Sequence, residues 1–338
     1  MHNSQLLPSL TIAIPTFNRA EVLESNLRRT ADIVQELDCW SSVSLLISDN
    51  HSSKGVYEAI DSFIADLRQE TPGLSARLIR QTENIGPTGN MLALAEAVET
   101  PYIMYLGDDD FISSDYLARV LEIIQDTRVT CIIPSYRNIL LSGELLSAGR
   151  DIGNTERWFE SGFRSVLENS WRGHQLSGLV FRSDVILPSY YDDGVDNFYP
   201  FVHFIISSAL EGVCVQVPEY PVLVTRPGQA NKAWSYGSDG MIGEIFDNYH
   251  NDRRLSRLQK GLLELQILDK QYWRYAMYLK LGPSAAATAV MKVLREGNAE
   301  WWVRLAMPIA VPLILAKQAV TLLLSGKLLE TLKTPVSV

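Results

Sequence analysis

Three consecutive carboxylates, Asp108-Asp109-Asp110, follow Gly107 at the end of a short apolar run, Tyr102–Leu106. Like charges at that spacing repel, and at least one would be driven toward protonation unless a cation neutralises them. A hard divalent ion, Mg2+ or Mn2+, resolves the conflict, because it prefers carboxylate oxygens and commonly takes further oxygens from phosphates. In an extended run Asp108 and Asp110 point to one side and Asp109 to the other. Asp108 and Asp110 are therefore expected to share a metal–diphosphate site. The alternative at this point is a solvated acidic turn capping a helix near residue 114.

Two more polar clusters close apolar runs in the same way. Leu10–Ile14 leads to Thr16-Phe17-Asn18-Arg19, and Val43–Ser48 leads to Asp49-Asn50. The runs are short and rich in β-branched residues, as strands are, with Pro15 expected to stop the first. Helical spacing follows each: Val22, Leu23, Leu27, Ile33 and Val34 after an expected cap at Asn18, then 56–67. A weaker strand at 76–79, a helix from Gly86 to 98, the strand at 102–106, a helix at 116–124 and a strand at 130–134 continue the alternation. Strand–helix alternation predicts an α/β fold with a parallel sheet, and ligands in such folds bind at the carboxyl ends of the strands. The three polar clusters fall at those ends. Residues 136–235 read as mixed strands and short helices completing the domain. Helices are expected at 240–281 and 284–295, parted by Gly282-Pro283, and an apolar segment at 301–330 ends the chain.

The 338 residues carry a formal net charge of −9, which argues against nucleic acid as a partner. The charge is unevenly spread. Residues 253–338 hold 13 Lys and Arg against 5 Asp and Glu, whereas 1–252 hold 17 against 34. Three scattered cysteines, Cys39, Cys131 and Cys214, fit reduced thiols rather than a disulfide framework or a zinc site. No charged stretch followed by an apolar run is seen at the start. Both points predict a cytoplasmic location.

Four motifs in order resemble the family 2 glycosyltransferases of the GT-A (Rossmann-like) fold. They are Ile14-Pro15-Thr16-Phe17-Asn18-Arg19, Ile47-Ser48-Asp49-Asn50-His51-Ser52-Ser53, Glu83-Asn84-Ile85-Gly86 with Asn90, and Tyr105-Leu106-Gly107-Asp108-Asp109-Asp110. They span about residues 8–135. The resemblance implies a nucleotide-sugar donor, built on UDP, CDP, GDP or dTDP, and an inverting transfer to a hydroxyl. Pro15, Thr16 and Asn18 would line the nucleotide pocket, Arg19 would approach the phosphates, and Asp49 would bond the base. Asn84, Gly86 and Asn90 would bracket the nucleoside and sugar-phosphate. Asp108 and Asp110 would match the family's DxD pair, with Asp109 between them beside the donor. The acidic motif and the Asn84–Asn90 stretch are similar to the abequosyltransferase-like enzymes of O-antigen synthesis.

The family's acidic Glu-Asp pair in the second half is missing. The comparable segment reads Asp196-Asn197-Phe198-Tyr199-Pro200-Phe201-Val202-His203. A general base for a hydroxyl calls for Asp or His, so Asp196 is the first candidate and His203 the second, ahead of Asp192, Asp193 and His174. Thr225-Arg226-Pro227 opens a polar, aromatic stretch expected to form a loop over the donor, with Arg226 contacting the diphosphate. Gly173–Gly178 is expected on the acceptor side. A catalytic domain is thus expected over 1–238, split at 135 into donor and acceptor halves, with a helical region at 239–338.

The last apolar run opens with Trp301-Trp302 and contains Pro308, Pro312 and Lys317. Paired tryptophans favour the headgroup boundary and the basic tail favours an anionic leaflet. A surface-lying helix on the cytoplasmic face of the inner membrane is expected, suiting a lipid-linked oligosaccharide acceptor. Two other functions fit part of the pattern. A sugar-1-phosphate nucleotidyltransferase would carry a Gly-rich basic loop after the first strand, where this chain has no glycine. A catalytically inactive binding or scaffold protein would explain the missing pair but not the intact aspartates.

Overall fold

The computed structural model describes residues 9–324, with 141, 227–236, 238, 239, 280 and 297 outside the description. They fall into two compact units. One runs to Asp192 and resumes from Phe204 to the end of the last strand; the other holds Asp193–His203 and the described residues beyond 231.

The first unit opens with β1 (Leu10–Thr16), α1 (Ala20–Glu36), β2 (Val43–Asp49), α2 (Lys54–Glu70), β3 (Ser75–Arg80), α3 (Gly86–Ala97), β4 (Tyr102–Tyr105), α4 (Ser114–Ile123) and β5 (Val129–Ile139). These match the sequence expectation closely. Leu10, Ile12, Ala13 and Ile14 are all fully buried, as strands covered on both faces must be. Leu23, Leu27 and Val34 of α1 form its buried stripe.

Two local expectations are corrected. Pro15 does not stop the first strand, which continues through Thr16 in register with Asp49. Ala13 accepts from Leu106 on the β4 side, and β4 ends before it can reach Pro15. The missing N–H of Pro15 therefore falls where no neighbour needs it. Asn18 is not the cap of α1 either; Arg19 holds that position without a side-chain cap.

The unit continues with β6 (Leu145–Arg150), β7 (Arg157–Phe159), α5 (Phe163–Asn169), a 3-10 turn at Ser170–His174, β8 (Val180–Arg182), α6 (Ser183–Asp192), α7 (Pro200–Glu211) and β9 (Val213–Thr225). Among the described residues the strands form one sheet in the order β3-β2-β1-β4-β8-β5-β9-β7, with β6 beside β5. β3, β2, β1 and β4 run parallel, while β8 runs antiparallel to both β4 and β5. The sheet is thus parallel where the polar clusters sit and mixed beyond β4.

The second unit is helical after the first turn of α7. It contains α8 (Ile242–Asn251), α9 (Arg257–Lys270), α10 (Trp273–Leu279), α11 (Pro283–Glu296) and α12 (Trp301–Leu324). Ser256 and Gln259 close a reciprocal capping box at the start of α9. Gly282, at φ 115°, and Pro283 make the expected break before α11. Arg274, only 1% exposed, is held by Tyr199 Oη, the Gly240 carbonyl and Gln271. By length and composition α12 is long and apolar enough to cross a membrane.

Candidate functional site

The parallel register lines up three chain reversals. Thr16 lies beside Asp49 and Asp49 beside Arg80, at the carboxyl ends of β1, β2 and β3. The aspartate triplet follows the end of β4 on the other side of β1. It is not an extended run. Asp110 N donates to Gly107 O at 3.1 Å, closing a turn, so the side chains lose the two-residue alternation expected of a strand. Asp108 and Asp109 both meet Arg19, at 2.7 and 2.6 Å, while Asp110 accepts from Ser177 Oγ at 2.5 Å and Thr225 N at 2.8 Å. The strand-like alternation is therefore corrected: Asp108 and Asp109 share Arg19, and Asp110 is tied to β9 and the segment before β8.

All three carboxylates are buried, at 5–7% exposure. Burial, opposed by Arg19 and reinforced by Asp109, leaves Asp108 pushed up to about 7. Burial also raises Asp110, with Asp109 adding to the effect and Ser177 opposing it. Burial lowers the Arg19 guanidinium, but Asp108 and Asp109 outweigh this and hold it above its ordinary value. Thr16 Oγ1 donates to the second oxygen of Asp108 at 2.8 Å. Asp108 and Asp109 converge on one partly exposed guanidinium with Asp110 buried beside them, and hard carboxylate oxygens of this kind suit a divalent cation by donor chemistry.

The neighbouring strand ends are braced against one another. Asn18, at φ 54°, receives no helix but spans two loops: its N–H donates to Ser52 Oγ and its Oδ1 accepts from Ser53 N. Asp49 accepts from both Ser52 N and Ser52 Oγ. Asn50 donates to Asn84 Oδ1 and Gly86 O and accepts from Ile85 N, which fixes the loop after β3 to the end of β2. Asn84 also accepts from Gly86 N, and Gly86 adopts φ 75°, open to glycine. Asn90 points back into the fold and is consumed by Ser48, donating to its carbonyl and accepting from its hydroxyl. Pro15, Thr16, Asn18, Arg19, Asp49, Asn84, Gly86 and the triplet thus gather on one edge of the sheet, with Asn90 beneath it. Arg226 follows Thr225 directly, is exposed, and donates its N–H to Ile139 O. The loop expected beyond it lies outside the described residues.

Asp196 and His203 belong to the second unit. Asp196 is exposed and His203 fully buried. His203 Nε2 lies 3.7 Å from Asp193 Oδ2, and Asp193, His203 and Asp252 offer ligand atoms within 4.8 Å of one another. Arg254 already grips both oxygens of Asp252, at 2.9 Å through its backbone N–H and 2.5 Å through Nη2. Asp193 is raised by burial and by Asp252.

Residues 11–185 match the family described as Glycosyl transferase family 2, which is more than half of the chain. The chain belongs to glycosyl transferase family 2. This family member is 30% identical over 109 residues to the abequosyltransferase RfbV of Salmonella typhimurium, a match spanning 32% of this chain and 30% of that protein. In fold it is similar to Staphylococcus aureus TarS 1-349 in complex with UDP-GlcNAc (TM-score 0.62, 13% identity, 85% of this chain and 80% of that one). It is also similar to the mannosyltransferase PcManGT of Pyrobaculum calidifontis in complex with GDP-Man and Mn2+ (TM-score 0.53, 14% identity, 94% and 81%). The mixed sheet with a parallel-dominated half is the GT-A arrangement.

Several side chains that brace the acidic turn and its neighbouring loops had no role assigned to them from sequence. Asn26 of α1 is fully buried and donates to Gly107 O and Asp110 O, holding the acidic turn from below. Its signal is a polar residue on a mostly apolar stripe, one position before Leu27. Ser177 donates to Asp110 and accepts from Gly107 N at 2.9 Å, and Gln175 reaches Asp110 at 3.4 Å. The Gly173–Gly178 stretch therefore meets the acidic turn. Asn50 was visible beside Asp49, but only the fold shows it as the hub of the loop after β3.

Proposed function

We propose that this protein is an inverting, nucleotide-sugar-dependent glycosyltransferase that uses Mn2+ or Mg2+ and transfers one sugar to a hydroxyl of a lipid-linked glycan in surface polysaccharide (O-antigen) synthesis. The observation that carries the reading is the buried acidic turn at the end of β4, under-neutralised and flanked by the β1 and β2 termini. Asp108 and Asp110 would hold the metal, which supplies positive charge to the diphosphate leaving group. Arg19 and Arg226 are the cations available to the phosphates, and the Asp49–Asn50 and Asn84–Gly86 loops would seat the nucleoside. The acceptor oxygen forms a bond to the anomeric carbon as the bond to the diphosphate oxygen breaks, and a base takes the hydroxyl proton. Asp196 is the better candidate base because it is exposed, whereas His203 is sealed. The abequosyltransferase match supports the polysaccharide setting. The apolar α12 and the basic C-terminal region support peripheral attachment to the cytoplasmic face of a membrane.

Calorimetric titration with UDP, GDP, CDP and dTDP, each with and without Mn2+, tests the donor site. Metal-dependent binding of one nucleotide by the wild type, lost in Asp108→Asn and Asp110→Asn, is the expected result. No nucleotide binding by folded protein would refute the transferase reading.

A further inference from the structure

The second unit displays α12 in a way that says how it meets a membrane. At 1.5 Å per residue the helix is about 36 Å long. One edge is fastened to α9 along most of that length. Glu300 N, just before the helix, donates to both oxygens of Glu264 at 3.1 and 2.9 Å. The Trp302 ring fits over Gly261, where a Cβ would sit 2.0 Å from it. Val303, Met307 and Val311 are buried. Lys317 pairs with Asp269 at 2.8 and 2.9 Å.

The opposite edge is apolar and open. Trp301, Leu305, Ile309 and Leu313 recur every four residues at 61, 71, 68 and 64% exposure, and Val320 and Leu324 extend the row at 55 and 82%. Pro308 and Pro312 are also exposed on the helix. An apolar row of this length on a monomer surface marks an interaction site.

Charge decides the occupant. The region 253–338 carries an excess of eight positive charges. Arg253 and Arg257 are about 80% exposed, each with a carboxylate beside it (Asp193 at 3.8 Å, Glu300 at 3.4 Å), and α11 adds a shallow groove lined by Ser284, Thr288, Met291, Lys292 and Arg295. A second copy would bring like charges together, whereas an anionic leaflet offers complementary phosphates.

We propose that α12 is an in-plane membrane anchor: its Trp301–Leu305–Ile309–Leu313–Val320 row sinks into the headgroup–acyl boundary of an anionic leaflet, parallel to the bilayer and still docked on α9. This rests on the peripheral-membrane reading above and adds which face of the helix inserts and that it does so while still docked on α9. A spanning orientation would strip the Lys317–Asp269 pair and the Glu264 contact from α9 and carry charged groups through hydrocarbon.

Full-length protein is floated with vesicles of phosphatidylcholine alone and of phosphatidylcholine with phosphatidylglycerol. Binding to the anionic vesicles, weakened by salt, is expected. The variant Leu305→Ser/Ile309→Ser should bind them at least on the order of a hundredfold less, since it removes two inserted aliphatic side chains. These side chains are exposed, so the fold tolerates the change, and an unchanged melting temperature checks this. Nitroxides at Leu305 and Val320 should report equal, shallow depths. Unequal depths with one near the bilayer centre, equal binding to both vesicle types, or unaltered binding by the double variant would overturn the proposal. So would a vesicle-independent dimer that the double variant dissociates. Nucleotide titration of the same preparation reads the donor site separately, so a failed anchor and a failed transferase assignment are distinguishable.

Discussion

Replacing Arg19 by alanine should make the acidic turn a tighter divalent-ion site and a less stable piece of structure. Arg19 grips Asp108 and Asp109 as one fork at 2.7 and 2.6 Å, so an ion taken up at Asp108 has to displace it. The guanidinium side chain is 36% exposed, and solvent screening limits each pair to roughly 0.2–1 kcal/mol. Relief of both pairs amounts to about 0.5–2 kcal/mol, or roughly a 2- to 30-fold gain in Mn2+ affinity. The assay is titration of nucleotide-free protein with Mn2+, followed by the spin-resonance signal of free ion, at pH 8. That pH lies above the value of about 7 to which burial pushes Asp108, so the carboxylate is ready to ligate. Arg19 holds Asp108 from rising further; without it, Mn2+ affinity should begin to fall at a higher pH than in the wild type. Metal-free stability should respond in the opposite sense. A carboxylate whose folded pKa lies above its unfolded value binds the extra proton in the native state, so stability drops as pH rises through the folded pKa. The variant should therefore lose more melting temperature than the wild type between pH 6 and 8. Arg19→Lys, which keeps one charge but not the fork, should fall between the two. Unchanged or weaker Mn2+ binding by Arg19→Ala at pH 8 would show that Arg19 does not compete for these carboxylates.

Three further substitutions probe the frame. Glu264 is fully buried and raised by burial to about 7, so its penalty is absent near pH 4.5, grows as pH rises and is complete above 7. Glu264→Gln keeps an acceptor for Glu300 N and should raise stability by roughly 1–3 kcal/mol at pH 8 and little at pH 5; a difference in melting temperature that ignores pH would contradict this. Gly178 sits at φ 82°, and an added Cβ would come within 2.5 Å of Val222 and 2.9 Å of Pro134. Gly178→Ala should cost about 2–4 kcal/mol in denaturant unfolding, and a loss below about 1 kcal/mol would mean that β9 yields easily. Asn50→Ala removes three hydrogen bonds and strands Ile85 N and Gly86 O, so amide exchange at 84–90 should accelerate and stability fall by about 1–3 kcal/mol. Unaltered exchange there would remove Asn50 as the hub.

Four of the first five strands were legible because each buries an apolar run with its own punctuation, and the helices by their periodic apolar stripes; β3, with no buried residue, carried only a weak signal. Leu10–Ile14, Val43–Ser48 and Tyr102–Leu106 need no long-range information to be seen as strands, and the polar residues at their ends follow from the topology. Pro15 misled because its cost depends on which neighbour lies beside it. That neighbour, β4, stops at Tyr105, a fact of pairing that no window around residue 15 contains. Asn18 misled for a related reason: its side chain had a better acceptor role to fill at Ser53, 35 residues away, than at the helix beside it.

The triplet shows the limit most clearly. Residue type announced a cation, and the structure places one there in Arg19, 89 and 90 residues earlier in the chain. Side-chain direction could not be read, because the alternation rule holds only while the backbone stays extended, and the Gly107–Asp110 turn ends it. The groups that orient Asp110 come from Asn26 of α1, Ser177 before β8 and Thr225 at the end of β9. Serine, threonine and asparagine are ordinary in loops and strand ends, so none of the three stands out by type. Only closure of β9 onto the bridge between Phe111 and Leu223 brings Thr225 to the turn, and that pairing joins segments more than a hundred residues apart. What a local pattern can supply is the charge that must be held; what holds it is decided by sheet order.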